Sequence, residues 1–146
     1  MSKRDGRLKS IIAVAGLAAA VLLAARAGHA YLSSTWYQDA SGYEEAARQQ
    51  KVLHVPMFVY FRVDWCPHCR AFDQLLEDQA VRSQLGSYLK VRVNPEHGKD
   101  EKELQEQRFG AKGYPSLFVV DSDGGAPRRV SHGGPADRFV AQLGGN

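Results

Sequence analysis

The sequence predicts an α/β protein whose central mixed sheet has about four strands, with helices on both faces. After residue 41, apolar runs typical of buried strands alternate with amphipathic segments in the order αβαβαββα. The turn-forming residues 121–125 join the last two predicted strands, which favours a hairpin. With 146 residues, 44% of them hydrophobic and 24% charged, the chain has enough apolar material for one folded domain.

Two elements open the predicted domain. A helix is expected from Ser41 to about Lys51, because residues 41–44 read Ser-Gly-Tyr-Glu and have the spacing of a capping box. Residues 57–61, Met-Phe-Val-Tyr-Phe, form a short run that is wholly apolar and aromatic. Such a run predicts a strand that is buried on both faces of a sheet.

A second helix is expected to begin near Cys66. One face of this helix would be buried, and the opposite face would lie in water. The residues predicted on the buried face are Cys69, Phe72, Leu75, Leu76 and Ala80. The residues predicted to face water are Asp73, Glu77 and Asp78.

The remaining pattern completes the sheet. Residues 88–93 alternate in polarity and predict a strand, and residues 99–108 are charged and rich in good helix formers. Residues 116–120 predict another strand, which pairs with residues 128–132 through the Asp/Gly turn. Residues 135–143 predict a closing helix with proline near its first turn.

The N-terminal segment has the order of a secretory signal. Basic residues cluster at positions 3–9, residues 11–25 carry no charge, and small residues follow. Residues 1–30 are therefore expected to be a cleaved signal peptide or an uncleaved membrane anchor, and residues 31–42 a polar linker. Both alternatives predict that the domain, residues 43–146, lies outside the cytoplasm, in a periplasm or held at the inner membrane.

The net charge of +3 belongs to the same segment. Residues 1–30 hold five basic side chains and one acidic side chain, so the rest of the chain has 14 basic and 15 acidic residues. No basic stripe remains in that part to indicate a nucleic-acid partner, and none is expected.

The only two cysteines, Cys66 and Cys69, stand where a predicted strand gives way to a helix. Free N–H groups and the helix dipole favour a thiolate at Cys66, and the thiolate is the reactive form. Cys69, one turn further, is expected to be more buried and to resolve a mixed disulfide formed at Cys66. Pro67 suits the first helical turn. A hydrogen bond or a positive charge from His68 would lower the pKa of Cys66 and make the disulfide more oxidising.

Other uses of the pair fit the sequence less well. A bridge across two residues closes a very small loop and constrains the unfolded chain little. Haem attachment needs a histidine where Arg70 stands, and a zinc site usually needs four ligands, while His54, His97 and His132 are scattered. Redox chemistry is therefore preferred over a metal site or an inert pair of thiols, and no metal or cofactor is expected.

Residues 57–132 resemble the thioredoxin superfamily. The resemblance rests on residues 58–61, on Trp65 beside the first cysteine, and on residues 109–116, Phe-Gly-Ala-Lys-Gly-Tyr-Pro-Ser, before an apolar strand. It implies the thioredoxin fold and thiol–disulfide oxidoreductase activity. The dipeptide between the cysteines is that of the disulfide oxidase DsbA. The compact length and residues 36–65 are more similar to secreted proteins related to the C-terminal domain of the reductase DsbD.

The resemblance also assigns residues around the cysteines. It implies that Pro115 follows a cis peptide bond and lies against the pair, and that Tyr114 offers its backbone to an extended substrate chain. Trp65 is expected to cover the site. Trp65, Tyr114 and Pro115 are therefore the expected substrate-binding residues.

One departure from the superfamily concerns proton transfer. Tyr60 stands where thioredoxin and many relatives keep a buried acid, six residues before the first cysteine. Asp73 and Glu77 are expected on the wrong face of the helix to replace that acid. Proton transfer is therefore expected to use water or His68.

Three functions remain as hypotheses. The first is an enzyme that exchanges electrons with protein thiols, favoured as a reductase fed by a membrane partner over an oxidase or isomerase. The second is a thioredoxin-like carrier of copper or of thiols, although Met57 is the only methionine beyond the start and provides no thioether cluster. The third is a noncatalytic scaffold.

Overall fold

The computed structural model describes the backbone of residues 2–144 and the side chains of residues 12–144. The chain divides into two units that meet in sequence between Tyr31 and Leu32. The first unit lies within helix α1 (Ser2–Ser34), and its described side chains are exposed. The 23-residue segment Ile12–Ser34, with a hydropathy of 1.7, is long and apolar enough to cross a membrane, a property that signal sequences share.

The second unit is built on a five-stranded mixed sheet in the order β1-β3-β2-β4-β5. The strands are β1 (Trp36–Gln38), β2 (Met57–Phe61), β3 (Leu89–Val93), β4 (Ser116–Val120) and β5 (Arg128–Val130). Strands β1 and β2 run parallel to β3, whereas β4 runs antiparallel to β2 and to β5. This confirms the predicted mixed sheet and hairpin, and it adds one strand to the number expected.

Helices cover both faces of this sheet, as the sequence predicts. They are α2 (Asp39–Leu53), α3 (Pro67–Leu75), α4 (Gln79–Leu85), α5 (Lys99–Glu103) with the π-helical turn Leu104–Arg108, and α6 (Ala136–Leu143). Buried side chains of α3, α4 and α6 form one core cluster with part of β2, and those of α2 form a second cluster with the rest.

Strand β2 lies between the two clusters. Phe58 and Tyr60 point into the cluster that contains the cysteines, and Met57, Val59 and Phe61 point into the other. Each of these five side chains is at most 1% exposed. The wholly apolar run of β2 is therefore explained by its central position, since both of its faces are covered.

The region predicted as a polar linker, residues 31–42, is regular structure instead. It contains the end of α1, the strand β1 and the start of α2, which begins at Asp39 rather than Ser41. Asp39 accepts a hydrogen bond from the backbone N–H of Asn94 at 3.0 Å, and Glu101 accepts one from the N–H of Ala40 at 3.2 Å. Contacts distant in sequence therefore hold this helix start, not a local capping box.

The long helix predicted from Cys66 through Ala80 is also corrected. Helix α3 ends at Leu75, and Asp78 begins α4 by accepting hydrogen bonds from the N–H groups of Ala80 at 2.8 Å and Val81 at 3.3 Å. Because a new helix starts there, Val81 is buried and Ala80 is exposed. Aspartate at an N-cap position strongly favours a helix start. Here it outweighs the spacing of apolar residues that predicted one continuous helix.

Candidate active site

The two cysteines lie at the start of α3, where the sequence predicts them. Cys66 is the N-cap residue, and its Sγ accepts a hydrogen bond from the backbone N–H of Cys69 at 3.1 Å. Pro67 is the first helical residue and has no N–H group to leave unpaired. Both cysteines are free thiols; Cys66 is 3% exposed and Cys69 is fully buried.

Burial sets the acidity of the second thiol. Burial, the largest cause, and the hydrogen bond with Cys66 raise the pKa of Cys69 to about 11. The nearby backbone of Val63 and hydroxyl of Tyr60 act in the opposite direction. Cys69 is therefore a neutral thiol at neutral pH, whereas thiol exchange requires a thiolate as the attacking group.

An aromatic pair stands beside Cys66. Trp65 is 63% exposed, and its ring meets that of Tyr114 edge to face with centroids 6.2 Å apart. The indole N–H of Trp65 donates to Glu96 at 2.9 Å, and the hydroxyl of Tyr114 donates to Gln105 Oε1 at 3.3 Å. The structure thus brings together two of the three predicted substrate-binding residues in a partly exposed apolar surface.

The third predicted residue follows in the same loop. The Tyr114–Pro115 peptide bond is cis, as the resemblance implies, and Pro115 is buried. Gly113 adopts a φ of 77°, which favours glycine, and Ser116 Oγ donates to its carbonyl oxygen at 2.9 Å. This hydrogen bond within the loop therefore stabilises the turn before β4.

His68 lies on the exposed side of the start of α3. Its ring centroid is 6.4 Å from that of His132, which follows β5. Both imidazoles line an open groove of about 630 Å³, together with Phe72 and Leu75. Two imidazoles therefore line this groove, where the sequence singled out one.

Tyr60 is fully buried under the second cysteine. Its hydroxyl donates to the backbone carbonyl of Cys69 at 3.1 Å. Burial is the largest cause that raises the pKa of Tyr60 above its usual range, and the negative charge of Asp73 raises it further. Tyr60 therefore holds a neutral hydroxyl next to the buried thiol.

Asp73 is not on the water-facing side of α3 where the sequence put it. Its side chain is 31% exposed, and its carboxylate lies 3.8 Å from Arg62 Nη2 and 3.9 Å from Arg92 Nη2. Its Oδ1 atom is buried and has no hydrogen-bond partner among the described residues. Asp73 therefore belongs to the surroundings of Tyr60, whereas Glu77 is exposed as expected.

Sequence reasoning did not place three residues at the site, although it considered Asp73 and His132 in other roles. Gln105 is buried in the π-helical turn, His132 ends a hairpin, and Asp73 follows the cysteines on the same helix. A π-helical turn often marks a functional site, but no spacing in the sequence indicates one here. Only the Asp73 position, one turn beyond Cys69, gave a signal that could have been used.

No group of three or more His, Cys, Asp or Glu side chains that could hold a metal ion occurs within the described part of the chain.

The fold and the position of the cysteine pair define a thioredoxin-fold protein with its dithiol at the start of a helix. Residues 35–122 match the thioredoxin-like family, and the chain belongs to that family. A curated relative is the thiol:disulfide interchange protein DsbD of Ralstonia nicotianae, 29% identical over 109 residues. The match covers 73% of this chain and 18% of the relative, so the chain spans less than a fifth of that protein.

Solved structures confirm the fold. The reduced C-terminal domain of Neisseria meningitidis DsbD is 22% identical and has a TM-score of 0.62, with 75% of this chain and 97% of that chain covered. A thioredoxin from Thermus thermophilus is 24% identical with a TM-score of 0.60, and the match covers 76% and 85% of the two chains. Family and relatives together support a thiol–disulfide oxidoreductase in general terms.

Proposed function

We propose that this protein exchanges electrons with protein thiols outside the cytoplasm and works as a disulfide reductase. The proposal rests on the geometry of the two cysteines. Cys66 Sγ accepts a hydrogen bond from the backbone N–H of Cys69, and the thiol of Cys69, one helical turn further along, is fully buried. The first sulfur lies at a helix N-terminus, and the second thiol interacts with it directly.

The reaction follows from this arrangement. The Cys66 thiolate attacks a substrate disulfide, forms a mixed disulfide and releases one substrate sulfur as a thiolate. Cys69 loses its proton and attacks Cys66 Sγ, which releases the second substrate sulfur and leaves a Cys66–Cys69 disulfide. Two electrons pass to the substrate, and a dithiol partner in the membrane would return them for the next cycle.

The substrate-binding surface is proposed to consist of Trp65, Tyr114 and Pro115. Its exposed aromatic area suits a peptide strand laid beside Cys66. Gln105 holds the Tyr114 hydroxyl and so keeps the ring against Trp65.

The N-terminal segment supports the proposed location. Ile12–Ser34 is long and apolar enough to enter a membrane, and basic residues precede it. Sequencing of the mature N-terminus separates the two alternatives, because a start at Gly28 or Tyr31 rules out an anchor.

The opposite direction of electron flow is the second candidate. It is favoured by the dipeptide Pro67–His68 between the cysteines, which is the one that the disulfide oxidase DsbA carries. The reduction potential of the pair and its redox state in the cell distinguish the candidates. A low potential with reduced thiols supports the reductase, and a high potential with disulfide supports the oxidase.

Cysteine variants test the exchange itself. Cys66→Ser is expected to abolish turnover of a disulfide substrate, because it removes the attacking sulfur. Cys69→Ser is expected to keep the attack and to accumulate mixed disulfides, which non-reducing gels and mass spectrometry detect. Full turnover by Cys66→Ser would refute the proposal, and one metal ion bound per reduced protein would favour the carrier instead.

A further inference from the structure

A cavity of about 560 Å³ lies on the cysteine face of the sheet, within the size range of sites that bind small organic molecules. Its walls include residues of β1, β3, α3 and α4, together with the last two residues of α1, Ser33 and Ser34. Neither cysteine is among the residues that line it. The proposed exchange chemistry therefore does not account for this cavity.

Positive charge exceeds negative charge in the wall of the cavity. The cationic residues are Arg82, Lys90 and Arg92, and the acidic residues are Asp73 and Glu77. Arg92 Nη2 lies 3.9 Å from the Asp73 carboxylate, and Arg82 Nη1 lies 3.8 Å from that of Glu77. Each carboxylate thus has a guanidinium beside it. Lys90 has no carboxylate partner in the described part of the chain, so one positive charge stays unbalanced.

The ammonium of Lys90 lacks the partners that its burial calls for. Lys90 is 3% exposed, and the carbonyl oxygen of Leu32 accepts a hydrogen bond from one of its three N–H donors. No other hydrogen bond of Lys90 occurs among the described residues. A buried charge is costly unless it is paired with an opposite charge. An anion in the cavity would supply the missing partner.

The neighbours of Lys90 indicate the kind of anion. The guanidinium of Arg92 lies 4.8 Å from the centre of the Trp36 ring, and the ammonium of Lys90 lies 5.9 Å from it, so both cations share one aromatic wall. Arg82, on the opposite helix, is exposed. Ammonium and guanidinium donors together are typical of phosphate recognition. The Trp36 ring and the volume of the cavity leave room for an organic group on that phosphate.

The sequence places this cavity near a membrane surface. Ser33 and Ser34, which line the cavity, are the last residues of the segment Ile12–Ser34, which is apolar enough to enter a membrane. Trp36 and Tyr37 follow, and aromatic residues of this kind are enriched at membrane–water interfaces. With that segment in a membrane, Ser33 and Ser34 would stand at the level of the lipid headgroups, which carry phosphate groups.

We propose that this cavity binds the phosphate group of an organic phosphate, and that a membrane glycerophospholipid is its source. The Lys90 ammonium donates hydrogen bonds to the phosphate oxygens, and the guanidinium groups of Arg92 and Arg82 complete the cationic wall. Binding is noncovalent, so no bond forms or breaks. It holds the domain close to a membrane surface and does not depend on the thiol exchange proposed above.

Calorimetric titration of the full-length protein in micelles of an uncharged detergent tests this site. The probes are dioctanoyl phosphatidylglycerol, sn-glycerol 3-phosphate and dioctanoylglycerol, which lacks a phosphate. Lys90→Met should weaken binding of the phosphate compounds about tenfold or more, because it removes the buried charge and its hydrogen bonds. Lys102→Met is the matched control: it removes the same charge from an exposed position of α5 and should change the affinity less than about twofold.

The pH dependence of the affinity identifies Lys90 as the contact and needs no variant. Burial lowers the pKa of Lys90 to about 8, so the affinity for phosphatidylglycerol should be constant below pH 8 and fall above it. The other charged groups that face this cavity are the carboxylates of Asp73 and Glu77 and the guanidinium groups of Arg82 and Arg92. Groups of these two kinds do not ordinarily titrate near pH 8. Lys90→Met should show no such fall.

The two phosphate compounds distinguish the source of the ligand. Tighter binding of phosphatidylglycerol supports a membrane lipid, whereas displacement of it by lower concentrations of sn-glycerol 3-phosphate would assign the same site to a soluble organic phosphate. Failure of both compounds to bind at millimolar concentration would overturn the inference. So would equal affinity in Lys90→Met, an affinity that does not change between pH 7 and pH 10, or equal binding of dioctanoylglycerol. Cys66→Ser should bind phosphate as the unsubstituted protein does, so loss of thiol exchange leaves this result unaffected.

Discussion

Both faces of the sheet bury aromatic and aliphatic side chains, but among the described residues only the cysteine face also buries a charged one. The face opposite the cysteines is aromatic and aliphatic, with Phe61, Phe109 and Phe118 packed as a trio whose ring centroids are 5.1 to 6.1 Å apart. The cysteine face buries Lys90 and Tyr60 and partly buries Arg92. Apolar packing stabilises a fold without further conditions, whereas buried polar groups are costly unless each is satisfied.

Lys90 illustrates the cost on the cysteine face. It is 3% exposed, its ammonium lies 5.9 Å from the centre of the Trp36 ring, and it donates to the carbonyl oxygen of Leu32. No carboxylate forms an ion pair with it in the part of the chain that the structure describes. Burial lowers the pKa of Lys90 to about 8, so the folded state resists its charge.

The largest effect on stability is expected on the face of the sheet opposite the cysteines. Phe61→Ala should lower the free energy of unfolding by about 3–5 kcal/mol, because it removes a fully buried ring and leaves a cavity. Urea denaturation followed by circular dichroism measures the loss. Phe61→Leu should cost less, and the folded fraction of either variant should keep its turnover of a disulfide substrate. A loss below about 1 kcal/mol would contradict the close packing of the Phe61 ring.

The cysteine face should respond in the opposite direction. Lys90→Met should raise the free energy of unfolding at pH 7 by up to about 3 kcal/mol, since a charged lysine no longer has to be buried. Loss of the hydrogen bond to Leu32 reduces this gain. Below about pH 8 the folded protein must bury that charge, and between pH 8 and 10.5 only the unfolded chain keeps the proton. The stability of the unsubstituted protein therefore rises across that window.

Thermal unfolding at several pH values checks this prediction. The gain from Lys90→Met should be greatest below pH 8 and should disappear by about pH 10.5. Lys102→Met, at an exposed position of α5, is the control and should change little. A gain that does not depend on pH would show that packing, not charge, is responsible.

The smallest effect is expected where the cysteine-face helices are joined. Asp78→Ala should lower the free energy of unfolding by about 1 kcal/mol, because the N–H groups of Ala80 and Val81 lose their acceptor. Asp78→Asn keeps an acceptor oxygen and should lose less. Denaturant titrations of the three proteins, with unchanged m-values, measure the difference; equal stabilities would refute the role of this cap.

Local patterns predicted the parts of the site that are close in sequence. The strand β2, the helix start at Cys66 and the cis bond before Pro115 all agree with the structure. Each of these depends on a few neighbouring residues or on a motif of the superfamily. The same reasoning failed for residues 31–42, where β1 exists only because it pairs with β3.

The surroundings of the second thiol could not be predicted in this way. Asp73 was expected in water because a helical wheel assigns each residue one face of an isolated helix. In the folded protein Arg62 and Arg92 come from other elements and draw that carboxylate toward Tyr60. No pattern along the chain reports which side chains will meet across three elements.

The amino-acid sequence by itself determined the strands β2 to β5, the two-sided burial of β2 and the position of the Cys66–Cys69 pair, because periodicity and short motifs act between near neighbours. Tertiary structure alone decided the start of α2 at Asp39 and the contacts of Asp73. These depend on partners tens of residues away, such as Asn94, Glu101 and Arg92, and only the folded sheet brings them within hydrogen-bonding or ion-pairing distance.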